Sequence, residues 1–395
     1  MAIEKRRSGA QDIAKGIMVI AVVFFHAYVL SFANRADSLT TFNILVMLFP
    51  FLMISFFFYT GYNYADNGRT FKQNIARRAK QLLIPLVAAF IISAVVVSTM
   101  EFAFNHDDPG ATFHAIGNSI LYILMSDPLA RMIGFPQAGG IIYEVALALG
   151  LVWFLYALFI CSVFFYLLVK FTNKSLPTLI SVDIGLLVLT FCIGQFVGTY
   201  LPFTVQCYPV ILATMLTAAH LRQHNFLDKE IACKKDAAII CVNALIAEGL
   251  IVGTCLACFY LFGSTTPGTL AAGRLDATLK GFDAFVVFAF GIVGTYFIHS
   301  LCRLILKIPV VGMSLAWAGK HSAIFYLFHP IFLDLALIVF FQKQNPWGRA
   351  QALLTGAATV AMLTLVCLLI DWIAKIRKNK KAAAAASAEQ AQAEN

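Results

Sequence analysis

Charged side chains are scarce in this chain. They make up 12 % of its 395 residues, where an ordinary soluble domain carries about a quarter. Hydrophobic residues make up 60 %, and mean hydropathy is +0.82. No soluble core of this size absorbs so much apolar surface. Long polar stretches are missing too, so no extramembrane segment is large enough to fold as a second domain. Internal repeats are absent as well, which speaks against the inverted-repeat architecture of many transporters. The nine cysteines fall mostly inside apolar runs, so they build no disulfide framework. Cys255 and Cys258 form a CxxC pair within the run 239–262. A redox or zinc site needs polar access and partner ligands, so these two read as small residues packing between helices. The net charge of +9 suggests nucleic acid at first sight, but the basic residues sit in short loops, and no nucleic-acid partner is expected.

What is present is a succession of uncharged runs, several reaching the roughly 20 residues that cross a hydrocarbon core. The first is full length, has no small-residue cleavage site, and is expected to stay as an anchor. Ten spans can be drawn, at 13–31, 40–64, 82–104, 141–169, 179–201, 203–220, 239–262, 282–302, 321–341 and 353–373. The segment 116–125 is too short to cross and reads as interfacial or re-entrant. With the N-terminus inside, twenty-two Lys and Arg fall on the cytoplasmic side, including Arg77, Arg78, Lys80 and the run Lys375–Lys381, and six fall outside. Short-loop Lys/Arg bias sets orientation. The expected fold is therefore all-α, an integral membrane protein of about ten transmembrane helices with both termini cytoplasmic. Residues 1–375 form the membrane domain. Residues 376–395 form a flexible cytoplasmic tail, helical or disordered.

Polar residues inside a membrane are costly and mark function. The first span reads DIAKGIMVIAVVFFHAYVL. Asp12 and Lys15 stand at its cytoplasmic mouth, three residues apart and able to pair. His26 follows Lys15 by eleven residues, a net offset of only about 20° and an axial rise of roughly 16 Å. Lys15 and His26 thus share one helix face. The plainer reading of His26 is a neutral histidine bonded to a neighbouring helix. The catalytic reading makes it a general base, since imidazole titrates near neutral pH. Lys15 then holds an anionic ligand from the cytoplasm. The spacing suits a long donor with phosphates at one end and a reactive group at the other.

Four patches spread in order along the chain carry a resemblance: DIAKGIMVIAVVFFHAY in the first span; FPFLMISFFFYTGYNYADNGRTFKQNIARRAKQLLIP at 49–85; WFLYALF at 153–159; and GKHSAIFYLFHP at 319–330. Together they resemble the membrane acyltransferase 3 family, whose opening helix carries a basic residue, ten intervening residues and a histidine. The fucose O-acetylase-like branch is the most similar. The resemblance covers about residues 10–340. It implies an O-acyltransferase that uses cytoplasmic acetyl-CoA, or another short acyl-CoA, to acylate a hydroxyl of an envelope carbohydrate, with His26 catalytic, Lys15 and Arg77 at the donor phosphates, and no metal. Two departures matter. The family's Arg-x-x-Arg is here Arg77-Arg78-Ala79-Lys80, and lysine lacks the planar fork for phosphate. The Trp-Ser-Leu-x-x-Glu of other branches is here Trp153-Phe154-Leu155, and the glutamate is missing; Glu144 does not match it.

Each remaining candidate has a bland alternative. Arg77, Arg78 and Lys80 bind the CoA phosphates or are an ordinary positive-inside cluster. His329, before the helix-kinking Pro330, contacts substrate or merely packs. Tyr59, Trp153 and Ser322 are further candidate substrate contacts, with Ser55 and Thr60 beside them. His299 and Tyr296 read as packing. Glu248 is mid-span and must face protein or water; Asp371 lies at a span end. The implied partners are acyl-CoA, a surface glycan or lipid-linked precursor, and the lipids of the plasma (inner) membrane. A rival reading is a secondary transporter or flippase for a polar glycan or lipid-linked sugar, using the same His and Lys as a relay. A third is a silent membrane partner in a polysaccharide-export complex. Transport predicts dependence on a gradient, whereas acyl transfer predicts thioester consumption in detergent.

Overall fold

The computed structural model describes residues 9–32, 48–65, 68–104, 153–173, 175–197, 201–227, 234–264, 275–276, 278–341 and 349–393. Among these there is no strand, and eleven α-helices follow in chain order: α1 (Gly9–Phe32), α2 (Leu52–Tyr62), α3 (Phe71–Phe104), α4 (Trp153–Thr172), α5 (Leu176–Cys192), α6 (Tyr208–Gln223), α7 (Lys234–Phe262), α8 (Asp283–Ile305), α9 (Pro309–Lys320), α10 (Ser322–Phe341) and α11 (Arg349–Ala393). A π-helical turn, Ile193–Val197, extends α5, and a 3-10 turn, Pro202–Cys207, leads into α6. Seven stretches are long and apolar enough to cross a membrane: Gly9–Tyr28, Trp153–Thr172, Leu176–Val197, Thr204–Gln223, Lys234–Phe262, Asp283–Ile305 and Ala350–Ala384. Leu52–Tyr62 and Ser322–Leu333 are apolar but shorter. The chain is a multi-pass membrane protein. The segment 116–125, the first parts of the spans drawn at 40–64 and 141–169, and Glu144 lie outside the described residues.

Two elements depart from the sequence reading, each for a local reason. The basic stretch before the third span is helical, not a loop. Thr70 and Gln73 form a reciprocal capping box, with Thr70 N–H donating to Gln73 Oε1 at 3.0 Å and Gln73 N–H donating to Thr70 Oγ1 at 3.3 Å. Such a box satisfies orphan donors and starts a helix; α3 therefore begins at Phe71 and carries Arg77, Arg78 and Lys80 on its early turns. The segment 303–320, between the spans expected at 282–302 and 321–341, contains α9. Twelve residues are too few to cross, but Pro309 at the first position is pre-set for a helix start. At the other end of the chain α11 runs on through the tail to Ala393. The alanines there have the highest helix propensity of any residue.

Two helices are wrapped by the others. α6 is buried along most of its length, between α2, α4, α5 and α8. α1 is enclosed by α8, α9, α10 and α11, with α2 alongside. The outward faces are apolar: Leu245 and Tyr260 of α7 and Leu365 of α11 are 71 %, 79 % and 66 % exposed. Hydrocarbon solvates such faces, but then no hydrophobic force pulls helices together, and close packing at small residues must do so. The α1–α9 crossing shows this. A Cβ on Gly16 would run into the Leu315 carbonyl, and one on Gly319 into the Asp12 carbonyl. This contact fixes the N-terminal half of α1, where Asp12 and Lys15 sit.

Candidate active site

α1 turns one face inward along its length. Ile13, Ala14, Met18, Val19, Val22 and Val23 are buried, and on the neighbouring edge Lys15 and His26 are half-buried. His26 meets His329 of α10, with 2.8 Å between Nδ1 of His26 and Nε2 of His329. The rings are inclined by only 8°, with centroids 5.0 Å apart. That separation is close to the longest a 2.8 Å N···N contact allows. The two rings therefore meet edge to edge in nearly one plane, and the bond points along both. His329 itself is 1 % exposed. Its other nitrogen, Nδ1, lies 2.7 Å from the Tyr326 carbonyl and 3.2 Å from that of Phe325. Two residues singled out in the sequence as separate candidates, 303 positions apart, thus form one unit.

Lys15 stands on the same edge of α1, toward its N-terminus. Its Nζ lies 5.9 Å from the ring centroid of Tyr59, at the outer reach of a cation–π contact. Tyr59 is fully buried on α2, and its hydroxyl lies 3.3 Å from Nδ1 of His299 on α8. Lys15 therefore sits above a polar pair joining two further helices.

A family model described as an acyltransferase domain matches residues 10–372. The chain belongs to the acyltransferase 3 family. No curated protein and no solved structure matches it. The protein is thus a membrane acyltransferase, and the matched span contains every candidate residue named above.

In this acyltransferase the remaining candidates are spread over several helices. Arg77 and Lys80 are exposed on α3; Arg78 is half-buried and donates from Nε to the Tyr166 hydroxyl of α4 at 3.0 Å. α3 itself packs against α4 and α10. Trp153 is buried at the start of α4, its ring edge-on to Phe154 at 6.3 Å. Phe154 continues the contact to Tyr326 at 5.1 Å, and the Tyr326 ring lies 5.8 Å from His329. The Trp-Phe-Leu motif reaches the histidine pair through this aromatic wall. Ser322 is half-buried at the head of α10. It precedes His329 by seven residues, two turns and roughly 10 Å along the same face.

The other side chains weighed in the sequence have specific surroundings. Ser55 accepts from the Thr295 hydroxyl at 2.9 Å, and the Thr60 hydroxyl donates to the Phe56 carbonyl at 3.0 Å. Tyr296 lies against Phe226. Asp371 accepts from Trp317 Nε1 at 2.9 Å and from His321 Nε2 at 3.0 Å, tying α11 to the end of α9. Glu248 of α7 keeps one carboxylate oxygen, Oε2, buried with no hydrogen bond among the described residues. No three His, Cys, Asp or Glu side chains are grouped to hold a metal among the described residues. The sequence reading missed Tyr326 and Phe154 as parts of the site. The available signal was the spacing Tyr326-Leu327-Phe328-His329-Pro330, in which the proline leaves Tyr326's carbonyl without its helical donor.

Proposed function

We propose that this acyltransferase takes an acetyl or other short acyl group from cytoplasmic acyl-CoA and transfers it to a hydroxyl of a cell-envelope or exported carbohydrate. It does so in the plasma membrane, through ten spans with both termini inside, and with His26 as general base. The observation that carries this reading is the His26–His329 pair: an imidazole held in line by a second imidazole, eleven residues above Lys15 on the same edge of α1.

The chemistry follows from that placement. Lys15, with Arg77, Arg78 and Lys80 on the cytoplasmic turns of α3, receives the phosphates of the donor. The acyl thioester extends along α1 toward His26. His26 takes the proton of the acceptor hydroxyl, and the oxygen attacks the thioester carbonyl. As the C–S bond breaks, the departing CoA sulfur takes that proton back from the imidazolium. Supporting the topology is the excess of Lys and Arg on one side of the expected spans. Membership of the acyltransferase family favours this reading over transport.

The test is thiol release from radiolabelled acetyl-CoA by the purified protein in detergent, where no gradient exists. His26→Ala is expected to lower turnover by about 10²- to 10⁴-fold, the usual contribution of a general base, with an unchanged thermal melt. Normal turnover by folded His26→Ala would sink the assignment.

A further inference from the structure

The base must have a bare nitrogen facing its substrate, and a neutral imidazole has one proton to place on either of two nitrogens. In α10 the choice is made by Pro330. A helical N–H at position 330 would bond the carbonyl of residue 326, four residues back. Proline has no N–H, so position 330 supplies no donor to the Tyr326 carbonyl. His329 Nδ1 lies 2.7 Å from that oxygen. A carbonyl only accepts, so the His329 proton is on Nδ1, and its Nε2 is bare. That bare nitrogen faces Nδ1 of His26 at 2.8 Å, with the rings nearly coplanar. Two bare nitrogens in line at this distance would repel; a proton on Nδ1 of His26 makes the bond.

We propose that His329 is a positioning residue for His26. The carbonyl freed by Pro330 fixes the proton of His329 on Nδ1, and the bare Nε2 of His329 fixes the proton of His26 on Nδ1. Nε2 of His26 is thereby the nitrogen that accepts the proton of the acceptor hydroxyl. This rests on the assignment of His26 as the base. It adds which nitrogen acts and what sets it. As His26 gains its second proton, its Nδ1–H keeps the same acceptor, so the imidazolium forms without rearrangement. Such coupling of a base to an orienting acceptor is a general route to the correct tautomer. A substitution at 330 would act through two imidazoles without touching substrate.

The test uses full-length protein in detergent, labelled with ¹⁵N in its histidine rings, whose shifts separate protonated from bare nitrogens. Signals of the pair are identified by their loss in His26→Gln and His329→Gln. Both rings are expected to carry their proton on Nδ1. Pro330→Ala restores the N–H for Tyr326 and is the better helix former, so it keeps the fold. It is expected to move the His329 proton toward Nε2 and to lower kcat for thiol release from acetyl-CoA by about tenfold, with KM little changed, as for an interaction made only in the transition state. His329→Gln, whose side-chain carbonyl still accepts from His26, should keep more activity than His329→Leu. A proton on Nε2 of His26 in the unaltered protein overturns this inference alone, provided that thiol release still depends on His26. The same holds for Pro330→Ala with unchanged shifts and kcat. Absence of thiol release from every acyl-CoA, with the expected tautomers in place, overturns the acyl-CoA-dependent reaction proposed above instead, and with it the role of the pair in that reaction.

Discussion

Two buried histidines contact a polar side chain on another helix, and they differ in how firmly they are held. His329 on α10 is bonded to His26 at 2.8 Å, in line and nearly coplanar. His299 on α8 lies 3.3 Å from the Tyr59 hydroxyl, with the rings tilted by 50°. The residue that follows each makes the difference. After His329 comes Pro330, which supplies no N–H to the Tyr326 carbonyl. After His299 comes Ser300, whose N–H continues the ladder of α8 to the counterpart carbonyl of Tyr296. Proline inside a helix costs about 3 kcal/mol, and at position 330 the freed carbonyl is used to fix a proton. The tighter pair is suited to a fixed reaction geometry. The looser one, beneath Lys15, is suited to a binding region that reorganises as a charged donor arrives.

The comparison breaks most visibly if the two histidines prove equivalent. His329→Leu is expected to lower kcat for acetyl-CoA thiol release by on the order of a hundredfold, the lower range for general-base function, with the thermal melt shifted little. His299→Leu should cost much less in kcat, because it removes a partner of Tyr59 and nothing that touches His26. Parallel steady-state curves for the two variants decide the matter. Equal losses in kcat would mean that the proline-set geometry carries no special weight.

How much of this was legible beforehand differs along the chain. The shared edge of Lys15 and His26 follows from helix periodicity alone, and the family patches were readable as short motifs. The partnership of His26 with His329 was not, because helix packing pairs residues 303 apart and no local spacing encodes it. The freed carbonyl was legible, since Pro330 announces it; what was missing was the donor that fills it. α9 was hidden for a different reason. A twelve-residue helix that lies against α1 at Gly16 and Gly319 has the length of a loop, and Arg303, Lys307 and Lys320 mark its segment as a basic connection between spans. Arg77, Arg78 and Lys80 read as a basic cluster, but their place on a helix depends on the Thr70–Gln73 cap, which lies well before the apolar run that begins at Leu82.

The comparison sharpens at Lys15, which shares an edge of α1 with His26 but belongs to the looser site. If its charge serves to bind donor phosphates, the loss should appear in binding and not in the chemical step. Lys15→Gln is expected to raise KM for acetyl-CoA by about tenfold, the scale of one charge-assisted contact at 1.4 kcal/mol, with kcat moved far less. Lys15→Arg should recover most of it, since the charge is kept. A fall in kcat at unchanged KM would instead place Lys15 with the histidine pair, and the division between a binding end and a reacting end of α1 would fail.

The smallest effect is expected at Tyr59, and it separates ring from hydroxyl. Tyr59→Phe keeps the face over which Lys15 lies at 5.9 Å and removes only the oxygen 3.3 Å from His299. A long bond of this kind contributes about 1 kcal/mol or less to the fold. Against that, a buried His299 nitrogen loses a partner. The variant should therefore melt slightly earlier and leave KM for acetyl-CoA within about threefold of the parent. Tyr59→Leu removes the ring as well, and with it the cation–π contact. If that second step raises KM beyond the first, the ring supports Lys15 and the hydroxyl is incidental. If the phenylalanine variant already shows the full loss, the Tyr59–His299 bond is what holds the binding end in place, and the two histidine sites are more alike than their geometries suggest.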